Sequence, residues 1–278
     1  MTIRSVQSVL QGYATSDGAG VKLVRFFDPR QATQLDPFLL LDEFRSANAS
    51  DYVAGFPPHP HRGFETVTYM IVGRMKHKDN HGNEGDLGPG GVQWMSAARG
   101  IIHEERPQQD QGLMFGYQLW VNLPSAQKMS EPFYDDIEAD RIPVCALANG
   151  GTVRVIAGEF GGVQGPVRPR PAEPTYLDVD LPANASVTIA VPRGHTALLH
   201  GVTGKICVGT KATVLLARQC AVLSRDGDVV FATGSETGRA LLLSGKPFGE
   251  PIVHYGPFVM NTQAELQQAI EDYQSGRF

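Results

Sequence analysis

The chain has 278 residues, enough for one large domain or two of ordinary size. Its hydrophobic fraction of 42% supplies a sizeable core and excludes a disordered chain. The net charge is −5, from 24 Lys and Arg against 29 Asp and Glu, and no basic arm is present, which argues against direct nucleic-acid binding.

No apolar run approaches the ~18 residues of a membrane span. The N-terminal stretch MTIRSVQSVL lacks an apolar signal core, so the expected location is cytoplasmic. The chain carries 31 Gly and 19 Pro, many at turn-like positions, with 19% charged residues, a composition that suits many short strands. Cys145, Cys207 and Cys220 form no CxxC pair and read as reduced thiols.

In chain order, Val21–Leu41 alternates weakly, interrupted by Pro29 and Pro37. Residues 65–72 (ETVTYMIV) are rich in β-branched side chains and read as a strand ending at Gly73, with 74–78 as a hairpin partner. Asn80–Asn83 and Gly88–Gly91 are turns. Gly88-Pro-Gly-Gly91 lacks the Lys-Ser/Thr and the helix of a phosphate loop. Strands are expected at 92–95, 101–105 and 115–123. From Pro124 to Pro143 the chain turns polar and acidic, and the domain boundary is placed there with a short helix at its centre. Further strands follow at 153–160, 175–181, 186–191, 197–202, 205–208, 221–223, 229–232 and 240–243, a density that indicates a second all-β module. Thr262-Gln-Ala-Glu265 is a capping box opening a helix with Leu266, Ile270 and Tyr273 on one face and Gly276 at its end.

Two short motifs stand out. His59-Pro60-His61 and His103-Glu104-Glu105 each separate two metal-capable side chains by one residue. On a strand, residues i and i+2 share a face. Two such strands facing across a barrel aim three imidazoles and a carboxylate at one point. That set suits a first-row metal such as Fe(II), Mn, Co, Ni or Cu; zinc binds too, but usually with fewer protein ligands at a catalytic site. Among the other polar residues, His77 and His81 fall in a polar hairpin and are expected to be exposed. His254 reads as a packing or hydrogen-bonding residue, and Trp94 and Trp120 as core, with the lining of an aromatic pocket as the alternative. Gln118 is mid-strand and a candidate to point toward the metal. Arg62 and Arg99 are candidates either to hold an anionic substrate or to sit at the surface.

The block PHPHRGFETVTYMIVG…HKDNHGNEGDLGPGGVQWMSAARGIIHEERP, from Pro58 to Pro107, closely resembles the signature of the pirin family within the cupin superfamily. The tail EPIVHYGPFVMNTQAEL is similar to that family's C-terminal segment. The resemblance implies an all-β bicupin: two stacked antiparallel β-barrels of jelly-roll type with a C-terminal helix. The expected divisions are residues 1–130 as a metal-binding barrel, 131–143 as linker and 144–278 as a metal-free barrel with the helix. It also implies His59, His61, His103 and Glu105 as metal ligands. The broader cupin pattern takes its carboxylate from the first motif, which here is Glu65. Strand parity and the family pattern favour Glu105, with Glu65 instead pairing with Arg62 or another cation.

Two functions follow from the resemblance. The first is a quercetin 2,3-dioxygenase-type enzyme, using Fe(II) (or Mn, Co, Ni, Cu or Zn), O₂ and a small aromatic substrate, with Glu105 as base. The second is a non-catalytic, redox-dependent regulator that binds a transcription factor or metabolic enzyme.

Overall fold

The computed structural model describes residues 2–278. The chain forms two compact units, each assembled from two stretches of sequence. One combines the residues up to Gly12 with Asp140–Pro247; the other combines Tyr13–Ala139 with Phe248–Phe278. The strand β1 (Val6–Gln11) therefore belongs with the second half of the chain.

The unit that carries the histidine motifs is a double-sheet jelly roll, with two open sheets instead of one closed barrel. Its strands are β2 (Tyr13–Asp17), β3 (Val21–Phe27), β4 (Phe38–Ser46), β5 (Phe56–His61), β6 (Phe64–Val72), β7 (Met75–Asp79), β8 (Glu84–Leu87), β9 (Val92–Ser96), β10 (Ile101–Pro107), β11 (Met114–Asn122) and β12 (Phe133–Ile137). The larger sheet runs β12-β9-β6-β11-β4-β3-β2, and the smaller β5-β10-β7-β8. β6 lies near the centre of its sheet, and its β-branched run is buried through Met70 on both faces. Gly73, at φ +90°, ends it.

The acidic stretch after Pro124 differs from the expected helix. Phe133 and Ile137 sit at i, i+4 among acidic residues, and the segment pairs with β9 as an edge strand. The boundary between units falls within this stretch, between Ala139 and Asp140. Gly88-Pro-Gly-Gly91 is the tight turn expected, closed by Gly91 N donating to Gly88 O at 3.0 Å.

The other unit is built from β1 with β13 (Val144–Ala146), β14 (Thr152–Ala157), β15 (Glu159–Phe160), β16 (Val163–Gln164), β17 (Thr175–Leu181), β18 (Ser186–Ile189), β19 (Thr196–Val208), β20 (Thr213–Leu216), β21 (Gln219–Leu223) and β22 (Val229–Gly245). A core of Val, Leu and Ile side chains, including Val155, Leu177, Leu199 and Leu242, fills it. β1 extends the sheet edge by pairing with β21, which is why the N-terminal strand leaves the unit expected from a division at residue 130. All three cysteines are free thiols.

The chain then returns to the first unit with β23 (Val253–Tyr255), β24 (Phe258–Met260) and a helix, Gln263–Gln274. Its capping box forms as the sequence predicts: Thr262 Oγ1 accepts from Glu265 N at 3.2 Å, and Glu265 Oε2 accepts from Thr262 N at 2.8 Å. Leu266 and Ala269 pack on Phe258 and Met260. The helix thus belongs to the unit that carries the histidine motifs and not to the other. No helix among the described residues is long and apolar enough to cross a membrane.

Candidate metal centre

β5 and β10 run antiparallel, and their register places His103 opposite His59 and Ile101 opposite His61. Alternation sends His59 and His61 to one face, so three imidazoles meet. Their ring centroids lie 4.4 to 5.0 Å apart. One ring nitrogen from each falls within 4.8 Å of the others. Gly63, two residues after His61, holds φ +89° where a Cβ would collide with the Val259 carbonyl. Glycine there lets β24 close against the end of the HxH strand.

The chemistry of the three rings fits a bound cation. Burial pushes His61 and His103 well below the usual imidazole range, with neighbouring imidazoles adding to the shift, and burial lowers His59 as well. All three are therefore uncharged near neutral pH. His59 Nδ1 donates to the Pro57 carbonyl at 2.8 Å, which leaves Nε2 with its lone pair. His61 Nδ1 and both ring nitrogens of His103 are buried with no hydrogen-bond partner. Buried, unpaired imidazole nitrogens gathered in one place are costly, and a metal ion relieves that cost.

Glu105 is buried on β10 on the same side as His103, but its carboxylate lies outside the 4.8 Å histidine group. A register shift separates the two: Glu105 faces Phe56, so Pro57 and Pro58 on β5 oppose Glu104 alone. That bulge suits prolines, which have no amide to give the ladder. Thr68 Oγ1 lies 3.3 Å from Glu105 Oε1. Burial pushes the Glu105 carboxyl up to about 7. Glu65 has no exposed surface and accepts from the Trp94 indole at 3.0 Å. β6 alternation puts Glu65 on the face opposite Thr68.

The centre opens on a cavity of about 660 Å³. Leu23, Leu40, Phe44, Phe56, Met75 and Trp120 give it apolar walls, and His59, His61, Glu105 and Gln118 line it too. Trp120 meets His61 edge-on at 5.4 Å.

Several sequence expectations shift here. Trp120 lines the cavity, while Trp94 is core. His77 is buried instead of exposed, stacked on Tyr134 at 5.3 Å and bonded to Gln93, because alternation on β7 turns it inward. His81 is exposed as expected. His254 is exposed and lines the cavity instead of packing. Arg62 is neither a substrate ligand nor a surface residue: it is buried, paired with Asp272 at 2.7 Å and stacked over Phe278. Arg99 sits at the surface, paired with Glu131. Thr68, Arg25 and Asp42 escaped the sequence reading. Alternation on β11 was the available signal, since it puts Gln118 and Trp120 on one face, and strand pairing brings Thr68 and Asp42 beside them.

A double-sheet jelly roll that gathers three neutral histidines, two buried and one half-buried, from two paired strands has the form of a cupin with a candidate metal site. The comparisons place the chain within that class. Residues 20–121 match the Pirin family model, and residues 176–278 match the Pirin C-terminal cupin domain. A pirin-like protein of Caulobacter vibrioides is 49% identical over 279 residues, covering 100% of both chains. The structure of a quercetin 2,3-dioxygenase from Acinetobacter baumannii superposes with a TM-score of 0.92 at 38% identity, covering 100% of this chain and 99% of that one. A bacterial pirin from Escherichia coli in complex with nickel(II) shares the fold, with a TM-score of 0.66 at 15% identity over 86% of this chain and 98% of that one. The chain belongs to the pirin family.

Proposed function

We propose that this chain is a metal-dependent dioxygenase of the quercetin 2,3-dioxygenase type, with one divalent metal, Fe(II), held by His59, His61, His103 and Glu105. The observation that carries this reading is a set of three uncharged imidazoles, with His61 Nδ1 and both His103 nitrogens left without hydrogen-bond partners, beside a mostly apolar cavity of about 660 Å³. A pocket of that size and lining suits a planar aromatic of two or three rings. The likeness to the Acinetobacter baumannii enzyme supports the same substrate class. Three nitrogens and one oxygen suit Fe(II). When bound, the metal supplies Lewis acidity toward a substrate hydroxyl and a one-electron route for O₂.

The chain's own residues do the rest. Glu105, the buried carboxylate that lines the cavity, is the base that takes the proton of the substrate's 3-hydroxyl. Thr68 Oγ1 lies 3.3 Å from its Oε1. The Leu23, Leu40 and Phe44 walls exclude water and hold the ring in one plane. Trp120 fixes the His61 ring by its edge contact. Addition of O₂ then opens the central ring of the 3-hydroxyflavone and releases carbon monoxide.

The test is aerobic turnover of quercetin by protein loaded anaerobically with Fe(II), Mn, Co, Ni or Cu. Loss of flavonol absorbance with matching carbon monoxide is the expected result. One metal per chain with no carbon monoxide from any metal would overturn the reading.

A further inference from the structure

Six residues form a single transverse row across the larger sheet of the metal-motif unit. Register pairs Asp136 with Gln93, Gln93 with Thr68, Thr68 with Gln118, Gln118 with Asp42, and Asp42 with Arg25. Directly paired residues share a face, so one polar stripe crosses six strands of a unit whose other positions are largely apolar. Burying such a stripe costs free energy unless its groups are bonded. Most are. Gln93 Nε2 donates to Asp136 Oδ1 at 2.9 Å. Arg25 grips Asp42 with two bonds of 2.8 and 2.7 Å and reaches Asp17 at 3.0 Å.

Two donor groups on this row are left over. Thr68 Oγ1 donates to Gln118 Oε1 at 2.6 Å, which fixes the amide and leaves Nε2 without a partner among the described residues. The fork on Asp42 likewise uses Nε and Nη2 of Arg25 and leaves Nη1 over. Both side chains line the cavity. They stand two strands apart, a separation of about 10 Å from strand spacing. That is comparable to the long dimension of a two- or three-ring aromatic.

We propose that Gln118 and Arg25 are the specificity-determining residues of this cavity, binding oxygen substituents at the two ends of one uncharged, polyhydroxylated planar aromatic. Gln118, its Oε1 fixed by the Thr68 hydroxyl, donates to the oxygen beside the reacting hydroxyl. Arg25 donates to hydroxyls at the far end. The far end of the cavity offers no free cation to a carboxylate or phosphate: Arg25 and Arg30 are each already gripped by an aspartate, Asp42 and Asp28, with Asp17 beside them. This inference rests on the dioxygenase reading for which hydroxyl reacts, but recognition itself needs no metal.

The test is binding of quercetin to the metal-free protein, read by tryptophan fluorescence, alongside KM and kcat of the loaded enzyme. Gln118→Met and Arg25→Met should each weaken binding at least tenfold, as expected when a donor to a substrate oxygen is lost. In the loaded enzyme KM should rise by the same factor. Galangin, which lacks the distal hydroxyl pair, should bind the wild type more weakly and be insensitive to the Arg25 change. Arg25→Lys keeps a charge beside Asp42 while losing the fork, and should reproduce the loss if Arg25→Met fails to fold. Unchanged affinity in the folded variants, or no quercetin binding by the wild type, overturns the proposal. Gln118-dependent binding without turnover would leave this recognition strip standing and remove the dioxygenase reading. Turnover with unaltered binding in every variant would do the reverse.

Discussion

His61 and His103 are buried, uncharged and short of hydrogen bonds, a condition that favours a metal over water or a proton as the partner of their lone pairs. Glu105 differs from them in kind, since its burial favours the protonated carboxyl. Glu105→Gln should therefore retain most of the metal held by three imidazoles while lowering kcat by about 100-fold, the usual contribution of a general base. Elemental analysis beside turnover checks this, and a fully active Gln variant would remove that role. In the other unit, burial pushes His200 down to about 3 from a usual 6.5. The folded state then takes up its proton far later than the unfolded one. The stability this histidine confers is full above about pH 6.5 and is lost as the pH falls toward 3, about 2 kcal/mol of it by pH 5. Urea titrations at pH 7 and 5 should show a smaller loss in His200→Leu than in the wild type. At this scale the sequence was most legible where chemistry needs a pair at i, i+2: strand parity alone predicts that His59 and His61 share a face. It was least legible for Thr68, Arg25 and Asp42, because polar residues join a row only through register between strands distant in sequence.

Among the elements, the return of β24 to the HxH strand depends on one buried cation. Lys128 Nζ donates to Gly63 O at 2.6 Å, Asn122 Oδ1 at 2.7 Å and Val259 O at 3.0 Å. Burial pushes its pKa down to about 7, yet three oxygen acceptors serve all its donors. Lys128→Met strands those acceptors and should cost on the order of 3 kcal/mol, seen as a lowered Tm. A Tm unchanged within error would show that these bonds do not hold β24 in place. The helix was legible from its capping box, a local signal. β19 and β22 were not, because each was read as two strands. Gly204, at φ +70°, looks like a turn in sequence but marks an irregularity within a continuous strand, with the register shifting between Gly204 and Ile206.

For the whole molecule, the two units exchange their ends: β1 joins the sheet of the later unit, and the C-terminal helix joins the earlier one. A contiguous division at residues 130 and 144 follows from the polar, acidic stretch between Pro124 and Pro143, and no local pattern reveals that an end strand or helix pairs elsewhere. The exchange places Asp272 of the helix on Arg62, the residue after His61, so the chain's last segment braces its first metal motif. The account stands on a metal at that motif. Iron content and iron-edge X-ray absorption of the Fe(II)-loaded wild type and of His61→Ala test it most directly. The account predicts one iron per chain in the wild type with scattering from imidazole ligands, and loss of the iron in a variant that still folds. Full iron occupancy in folded His61→Ala, or an iron shell without imidazole, would contradict it.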